Sequence, residues 1–110
     1  MSAIRNRLKD AKARSKKYNK DLDVDDMYLY ELFKQQAKCC ALTGAELMIE
    51  IGHPLCLSLD QIDPTKGYIV GNVQWLAWVV NRAKGDLDTE HFYEMCEAVI
   101  EHRKVQRLSL

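Results

Sequence analysis

The sequence predicts an α+β fold, a small and mostly helical domain with one central strand–turn–strand–helix unit. Two observations predict it. Apolar and polar side chains interleave around Asp60, and a turn at residues 64–67 separates this short strand from a returning one. Before and after this unit, apolar residues recur at helical spacing. A chain of 110 residues is long enough for one domain with a modest core.

Upstream of the hairpin the composition favours two helices. Residues 2–18 contain neither Gly nor Pro, but their apolar stripe is sparse, so we expect a weakly packed helix. Aspartates in residues 21–26 offer oxygens to free backbone amides, which predicts the start of a second helix over 25–38. Gly44 can close the turn that follows. Residues 45–51 are ambiguous between strand and irregular structure.

The hairpin and the elements after it are predicted more sharply. We expect strands over 57–62 and 68–74, then a helix over 75–84 that Gly85 ends. A last helix is predicted from Asp88, as N-cap, to about residue 107. Its apolar side chains share one face, which we expect to pack on the body: Phe92, Met95, Cys96, Val99 and Ile100.

A net charge of zero conceals a strong asymmetry along the chain. Residues 1–20 carry eight basic side chains and one acidic one, a net charge of +7. The remaining residues carry a net charge of −7. We therefore divide the chain into a basic N-terminal helical arm (1–20) and a main domain (21–110). Such an arm is a plausible handle for nucleic acid, through Arg14, Lys16 and Lys17. The alternative is a solvated helix that is merely basic.

The expected cellular compartment and the cysteines together limit which disulfides and zinc sites the chain can form. No apolar run is long enough to span a bilayer and no secretory signal precedes the domain, so we expect an intracellular, cytoplasmic protein without a membrane partner. Disulfides are then disfavoured. A zinc site could be assembled from the pairs His53–Cys56 and Cys39–Cys40, but adjacent cysteines rarely ligate one ion together. Free thiols are the preferred interpretation, and no structural zinc is expected.

Two side chains in the hairpin–helix unit suit one hard cation. Asp60 supplies a carboxylate and Asn81 an amide oxygen, and a hairpin docked on a helix can bring them together. Mg²⁺, or Mn²⁺ in its place, suits such a site because Mg²⁺ takes few protein ligands and keeps several waters. Lys84 and Arg82 on the helix, and Lys66 in the turn, are candidate phosphate contacts. Asn72 is expected to bridge backbone groups across the hairpin loop.

These residues carry a resemblance to a family. The segment SLDQIDPTKGYIVGNVQWLAWVVNRAKGDL resembles the pattern SLDRID…KGY…GNVQWV…VN..KGDL of small phage and prophage HNH (ββα-metal) endonuclease-like proteins, and residues 35–44 resemble the Q..KCALTG that precedes it. The likeness covers about residues 12–100 and extends to rare-cutting HNH restriction enzymes. It implies a zinc-free branch, metal binding at Asp60 and Asn81, a loop-organising Asn72, phosphate contact by Lys84, and a phage-infected or lysogenic bacterial host.

One position departs from the family in a way that affects catalysis. Most HNH enzymes have a histidine general base directly after the metal-binding aspartate, whereas this chain has Gln61, whose amide cannot take up a proton at neutral pH. His53 and Tyr68 are candidate substitutes. Two readings follow: a metal-dependent endonuclease or nickase acting on double-stranded DNA, or a catalytically weak HNH-like protein that binds DNA or a host or phage protein. With one site per chain, cutting both strands needs a homodimer or two successive events.

Overall fold

The computed structural model describes residues 1–109, which form an α+β domain of four helices and one two-stranded antiparallel sheet. In chain order the elements are α1 (Ser2–Lys17), α2 (Asp26–Gln35), β1 (Leu57–Gln61), β2 (Val73–Ala77), α3 (Trp78–Lys84) and α4 (Thr89–Leu108). The helix α3 begins at the residue after β2, so hairpin and helix are continuous. No helix in the described residues combines the length and the apolar character that crossing a bilayer requires.

The returning strand lies further along the chain than the sequence predicts. It covers Val73–Ala77 instead of residues 68–74, and it places Gln74 opposite Asp60. The predicted helix over 75–84 accordingly starts only at Trp78. Tertiary packing decides this, because the fully buried Trp75 docks the strand on α2: its indole N–H donates to the Leu29 carbonyl at 2.9 Å.

Helix α1 belongs to the core, which differs from the weak packing expected of it. Ile4, Leu8 and Ala11 are buried in the same apolar cluster as the hairpin strands. The Ser15 hydroxyl, also buried, donates to the Lys20 carbonyl and so fixes the turn that follows the helix. The sparse stripe suffices because all three apolar side chains are almost completely removed from water.

Helix α4 has the predicted start but not the predicted packing. The Asp88 carboxylate caps it by accepting from the His91 backbone N–H at 2.8 Å. Of its predicted apolar face only Phe92 is buried, and four side chains are exposed: Met95, Cys96, Val99 and Ile100. A 20-residue helix is about 30 Å long, and amphipathic spacing specifies a face without specifying what covers it.

The predictions for loops and cysteines agree with the structure. Gly85 ends α3 and Gly44 closes its turn, both with positive φ. The four cysteines are unpaired thiols, two of them buried.

The second helix ends earlier than the predicted range of 25–38, since Ala37 and Lys38 adopt positive φ just after it.

Candidate active site at the hairpin and helix α3

An open cavity of about 790 Å³ lies where the end of α1 faces β1, the hairpin loop and the end of α3. Four residues singled out in the sequence for catalysis line it, namely Asp60, Gln61, Asn81 and Tyr68. Arg14, an exposed residue of α1, lines the same cavity. The fold therefore brings the candidate metal ligands and one of the candidate nucleic-acid contacts to a single cavity.

Asp60 is a buried carboxylate held by two partners. The Gln74 amide, directly across the hairpin, donates to its Oδ2 at 2.9 Å. The Lys84 ammonium lies 3.1 Å from Oδ2 and 3.3 Å from Oδ1. Burial raises the pKa of Asp60, and the Gln74 hydrogen bond and the Lys84 charge oppose that rise. The two partners thus favour the ionised form of a carboxylate that burial would otherwise protonate.

The role expected of Lys84 needs correction. Its side chain is completely buried, and besides Asp60 its ammonium donates to the Gln61 carbonyl at 3.0 Å. An ammonium with these partners is not a surface contact for a phosphate backbone. Residue spacing places Lys84 one turn after Asn81 but does not reveal that its long side chain turns inward toward β1.

The contacts of Asn81 leave its amide oxygen free. Its Nδ2 donates to the Ser58 hydroxyl at 2.7 Å and to the Leu59 carbonyl at 3.3 Å. A carbonyl can only accept, so the nitrogen must face Leu59 and the oxygen must face away. Within residues 1–109 no donor reaches Asn81 Oδ1, which makes it available to a ligand in the cavity.

Asn72 organises the hairpin loop from beneath. Its Oδ1 accepts from the Asp63 N–H at 3.0 Å, and its Nδ2 donates to the carbonyls of Asp63 at 2.9 Å and Gly67 at 2.7 Å. The side chain is buried, so these bonds replace ones that the loop would otherwise make with water. They fix the shape of the loop next to Asp60.

No histidine in residues 1–109 lines the cavity. His53, a proposed substitute base, is instead part of the turn before β1, where its Nδ1 accepts from the Leu55 N–H at 3.0 Å. Its expected catalytic role therefore has no geometric support.

Gln61 does line the cavity, and its Oε1 is buried without a hydrogen-bond partner. Tyr68 lines it as well and is occupied by Arg14, whose Nε donates to its hydroxyl at 2.9 Å.

The other basic candidates lie outside the cavity. Arg82 is exposed and stacks over the Trp78 ring at 5.2 Å. Lys66 is exposed in the hairpin loop, and Lys16 and Lys17 are exposed on α1. These four side chains can meet a nucleic-acid backbone only around the site, whereas Arg14 can reach a group bound within it.

The donor set fits one divalent cation. The Asp60 carboxylate and Asn81 Oδ1 are hard oxygen donors on the same cavity; Asn81 Oδ1 is free, whereas Asp60 already accepts from Lys84 and Gln74 and would share its charge with the ion. Mg²⁺ suits such a site because it needs few protein ligands. No cluster of three or more His, Cys, Asp or Glu side chains suited to a metal occurs in the described part of the chain. Any ion held here would therefore take most of its ligands from water or substrate.

Sequence reasoning missed four polar residues of this site: Lys20, Ser58, Gln74 and Asp86. Ser58 and Gln74 could have been found, because strand alternation puts Ser58 on the same face as Asp60, and the pairing of the strands sets Gln74 opposite it. Lys20 and Asp86 reach the cavity only through long-range packing, which local patterns do not encode.

Comparison of the chain with protein-family profiles, with curated proteins and with solved structures finds no match.

Proposed function

We propose that the chain is a metal-dependent HNH-type endonuclease or nickase that hydrolyses phosphodiester bonds in double-stranded DNA, its hairpin and α3 acting as a ββα-metal unit. The observation that carries the proposal is that the Asp60 carboxylate and the free amide oxygen of Asn81 line one cavity. The resemblance of residues 58–87 to HNH proteins supports it as well.

Asp60 and Asn81 would hold Mg²⁺ or Mn²⁺, which, when bound, polarises the phosphate and neutralises the departing oxygen. Lys84 and Gln74 favour the ionised form of Asp60 against the effect of burial on its pKa, and they fix the orientation of its carboxylate. Exposed basic side chains of α1 hold the flanking backbone by charge. In the net reaction water adds across one P–O bond: its oxygen joins phosphorus, one proton is lost, and the departing ester oxygen gains one.

The test is nicking of supercoiled plasmid in Mg²⁺ or Mn²⁺, compared with the same reaction in excess chelator. Asn81→Ala removes one proposed ligand while leaving the Asp60–Lys84 pair intact, so the fold should survive. We expect its nicking rate to fall about 100-fold or more, as for loss of one well-placed catalytic group. Asp60→Asn should abolish nicking, with thermal unfolding run beside it because it leaves Lys84 buried without a counter-charge.

Two control variants distinguish loss of the proposed site from a general effect of changing a surface residue. Asn6→Ala repeats the Asn-to-Ala change at an exposed position on α1, and Glu97→Gln neutralises an exposed carboxylate on α4, so both variants should nick like the unmodified protein. Equal loss in Asn6→Ala and Asn81→Ala, or nicking that persists in chelator, would contradict the proposal.

A second candidate function is binding to DNA or to a host or phage protein without efficient cleavage. The observation that favours it is Gln61 in the place of the general base, with no histidine among the cavity-lining residues. A general base contributes about 10²- to 10⁴-fold. The variant Gln61→His distinguishes the two functions. A faster nicking rate in this variant supports a site built for hydrolysis. No nicking by either protein, together with tight binding to DNA or to a protein, supports the second function.

A further inference from the structure

We propose that Arg14 is a catalytic residue, whose guanidinium binds the reacting phosphodiester in the cavity that it lines together with Asp60, and that Tyr68 is the positioning residue that orients it. This inference rests on the proposed function and deepens it. It changes the part assigned to α1: one of its basic side chains contacts the reacting group, and the others contact only the surrounding backbone.

The geometry around Arg14 is fixed on one side and open on the other. Its Nε donates to the Tyr68 hydroxyl at 2.9 Å, and its Cζ lies 5.7 Å from the centre of the Tyr68 ring. Tyr68 is buried and tied through its backbone to Asp21 and Asp23, at 2.9 and 3.1 Å. Nη1 and Nη2 have no partner within residues 1–109. The guanidinium is thus held in a set orientation with its terminal donors free.

Other cations at the cavity are committed elsewhere. The Lys84 ammonium is buried against Asp60, and the Lys20 ammonium donates to the Pro64 carbonyl. Asp86 also lines the cavity but forms no ion pair with Arg14. Arg14 is therefore the lining cation whose terminal donors have no partner in the described residues, and it shares the cavity with Asp60 and with the free Asn81 Oδ1.

A guanidinium in this setting suits a phosphodiester. Its planar pair of terminal donors matches two phosphate oxygens, and the match strengthens as negative charge grows on those oxygens when water adds to phosphorus. Removing one such pre-oriented donor typically lowers turnover by about 10²- to 10³-fold. A lysine supplies the charge without the planar pair of donors, so Arg14→Lys should retain only part of the rate that Arg14→Ala loses.

The experiment uses bis(p-nitrophenyl) phosphate, a small phosphodiester with no flanking backbone, in Mn²⁺. Arg14→Ala should lower kcat about 100-fold, and added methylguanidinium should restore part of it. The control Arg103→Ala removes an arginine of the same type at an exposed position of α4, outside the cavity, and should leave kcat on this ester unchanged. Tyr68→Phe keeps the ring and the backbone bonds, and should lower kcat about tenfold with little change in KM.

Failure of this inference can be told apart from failure of the proposed function. If the unmodified protein hydrolyses the ester and Arg14→Ala loses no more activity than Arg103→Ala, the inference is overturned while the proposed function stands. If no hydrolysis occurs at all, the ¹⁵N resonance of Arg14 Nε is followed during titration with dimethyl phosphate. A saturable shift, absent in Tyr68→Phe, supports the anion site; no shift overturns it.

Discussion

At the scale of single residues, the pairing of Asp60 with Lys84 links stability to the proposed chemistry. A carboxylate removed from water prefers its proton, and burial does raise the pKa of Asp60. Only the ionised form is a good cation ligand. Lys84 and Gln74 oppose the effect of burial, so the Asp60 pKa is raised less than burial alone would raise it.

The variant Lys84→Met should destabilise the protein by about 3–5 kcal/mol at neutral pH, because it leaves a buried carboxylate without its counter-charge. The Asp60 pKa should then rise further. A raised native pKa means that the native state holds its proton over a range where the unfolded state has lost it, so stability is greatest below the unfolded value of 3.8 and falls as pH rises through the native pKa.

Urea denaturation between pH 4 and pH 8 measures this effect. The loss of unfolding free energy in Lys84→Met should grow with pH, and Asp60→Asn in the same background should recover part of it at pH 8. A penalty that stays constant with pH, or a double variant no more stable than Lys84→Met, would contradict the coupling.

Residue types and local spacing identified Asp60, Asn81 and Asn72, because the pattern fixes their place in a hairpin and a helix. The same reasoning misplaced Lys84 and His53. A lysine side chain can extend to solvent or fold back onto a strand, and the choice depends on the carboxylate beneath it. His53 belongs to a turn whose direction follows from contacts with residues far along the chain.

At the scale of elements, the hairpin loop is fastened to the segment before α2 at Gly67. This glycine has a φ of 82°, and a Cβ built on it would lie 2.6 Å from the Asp21 carbonyl oxygen. Gly71 has nearly the same φ, 85°, but no atom within 4 Å of its Cβ position. Alanine substitutions at Gly67 and Gly71 can therefore separate the cost of left-handed backbone strain from the cost of a steric clash.

Gly71→Ala should therefore lose about 1–2 kcal/mol from left-handed strain alone. Gly67→Ala should lose the same amount plus about 1–3 kcal/mol for the overpacked contact, since Tyr68 N–H also donates to the Asp21 carbonyl. Denaturant midpoints of the two variants give the comparison. Equal losses would show that the loop can move away from residue 21 without penalty.

Element boundaries show where sequence reasoning stops. The apolar run through Trp75 and Leu76 is compatible with strand or helix, and its pairing with β1 and packing on α2 decide for strand. In α4 the apolar spacing is real, yet Val99 is 61% exposed and Ile100 48% exposed. Periodicity predicts a face; it does not supply the surface against which that face packs.

At the scale of the whole molecule, α1 combines two properties that the sequence suggested keeping apart. Its basic charge led us to expect an arm for nucleic acid, but its apolar side chains belong to the central core. One flank of the helix also carries Arg14 into the cavity. A detachable arm could be removed with loss of DNA affinity alone, whereas a core element could not.

Deleting residues 1–17 should therefore abolish cooperative unfolding. Burial of Ile4 and Leu8 contributes about 1.5–3 kcal/mol each, a large share of the 5–15 kcal/mol typical of a domain. The control replaces four exposed lysines of α1 by Gln, at positions 9, 12, 16 and 17, and leaves the core face intact. It should keep its denaturation midpoint while the slope of log K for DNA against log salt falls by up to about four. A truncated chain that unfolds cooperatively at the original midpoint would show that α1 is an arm after all.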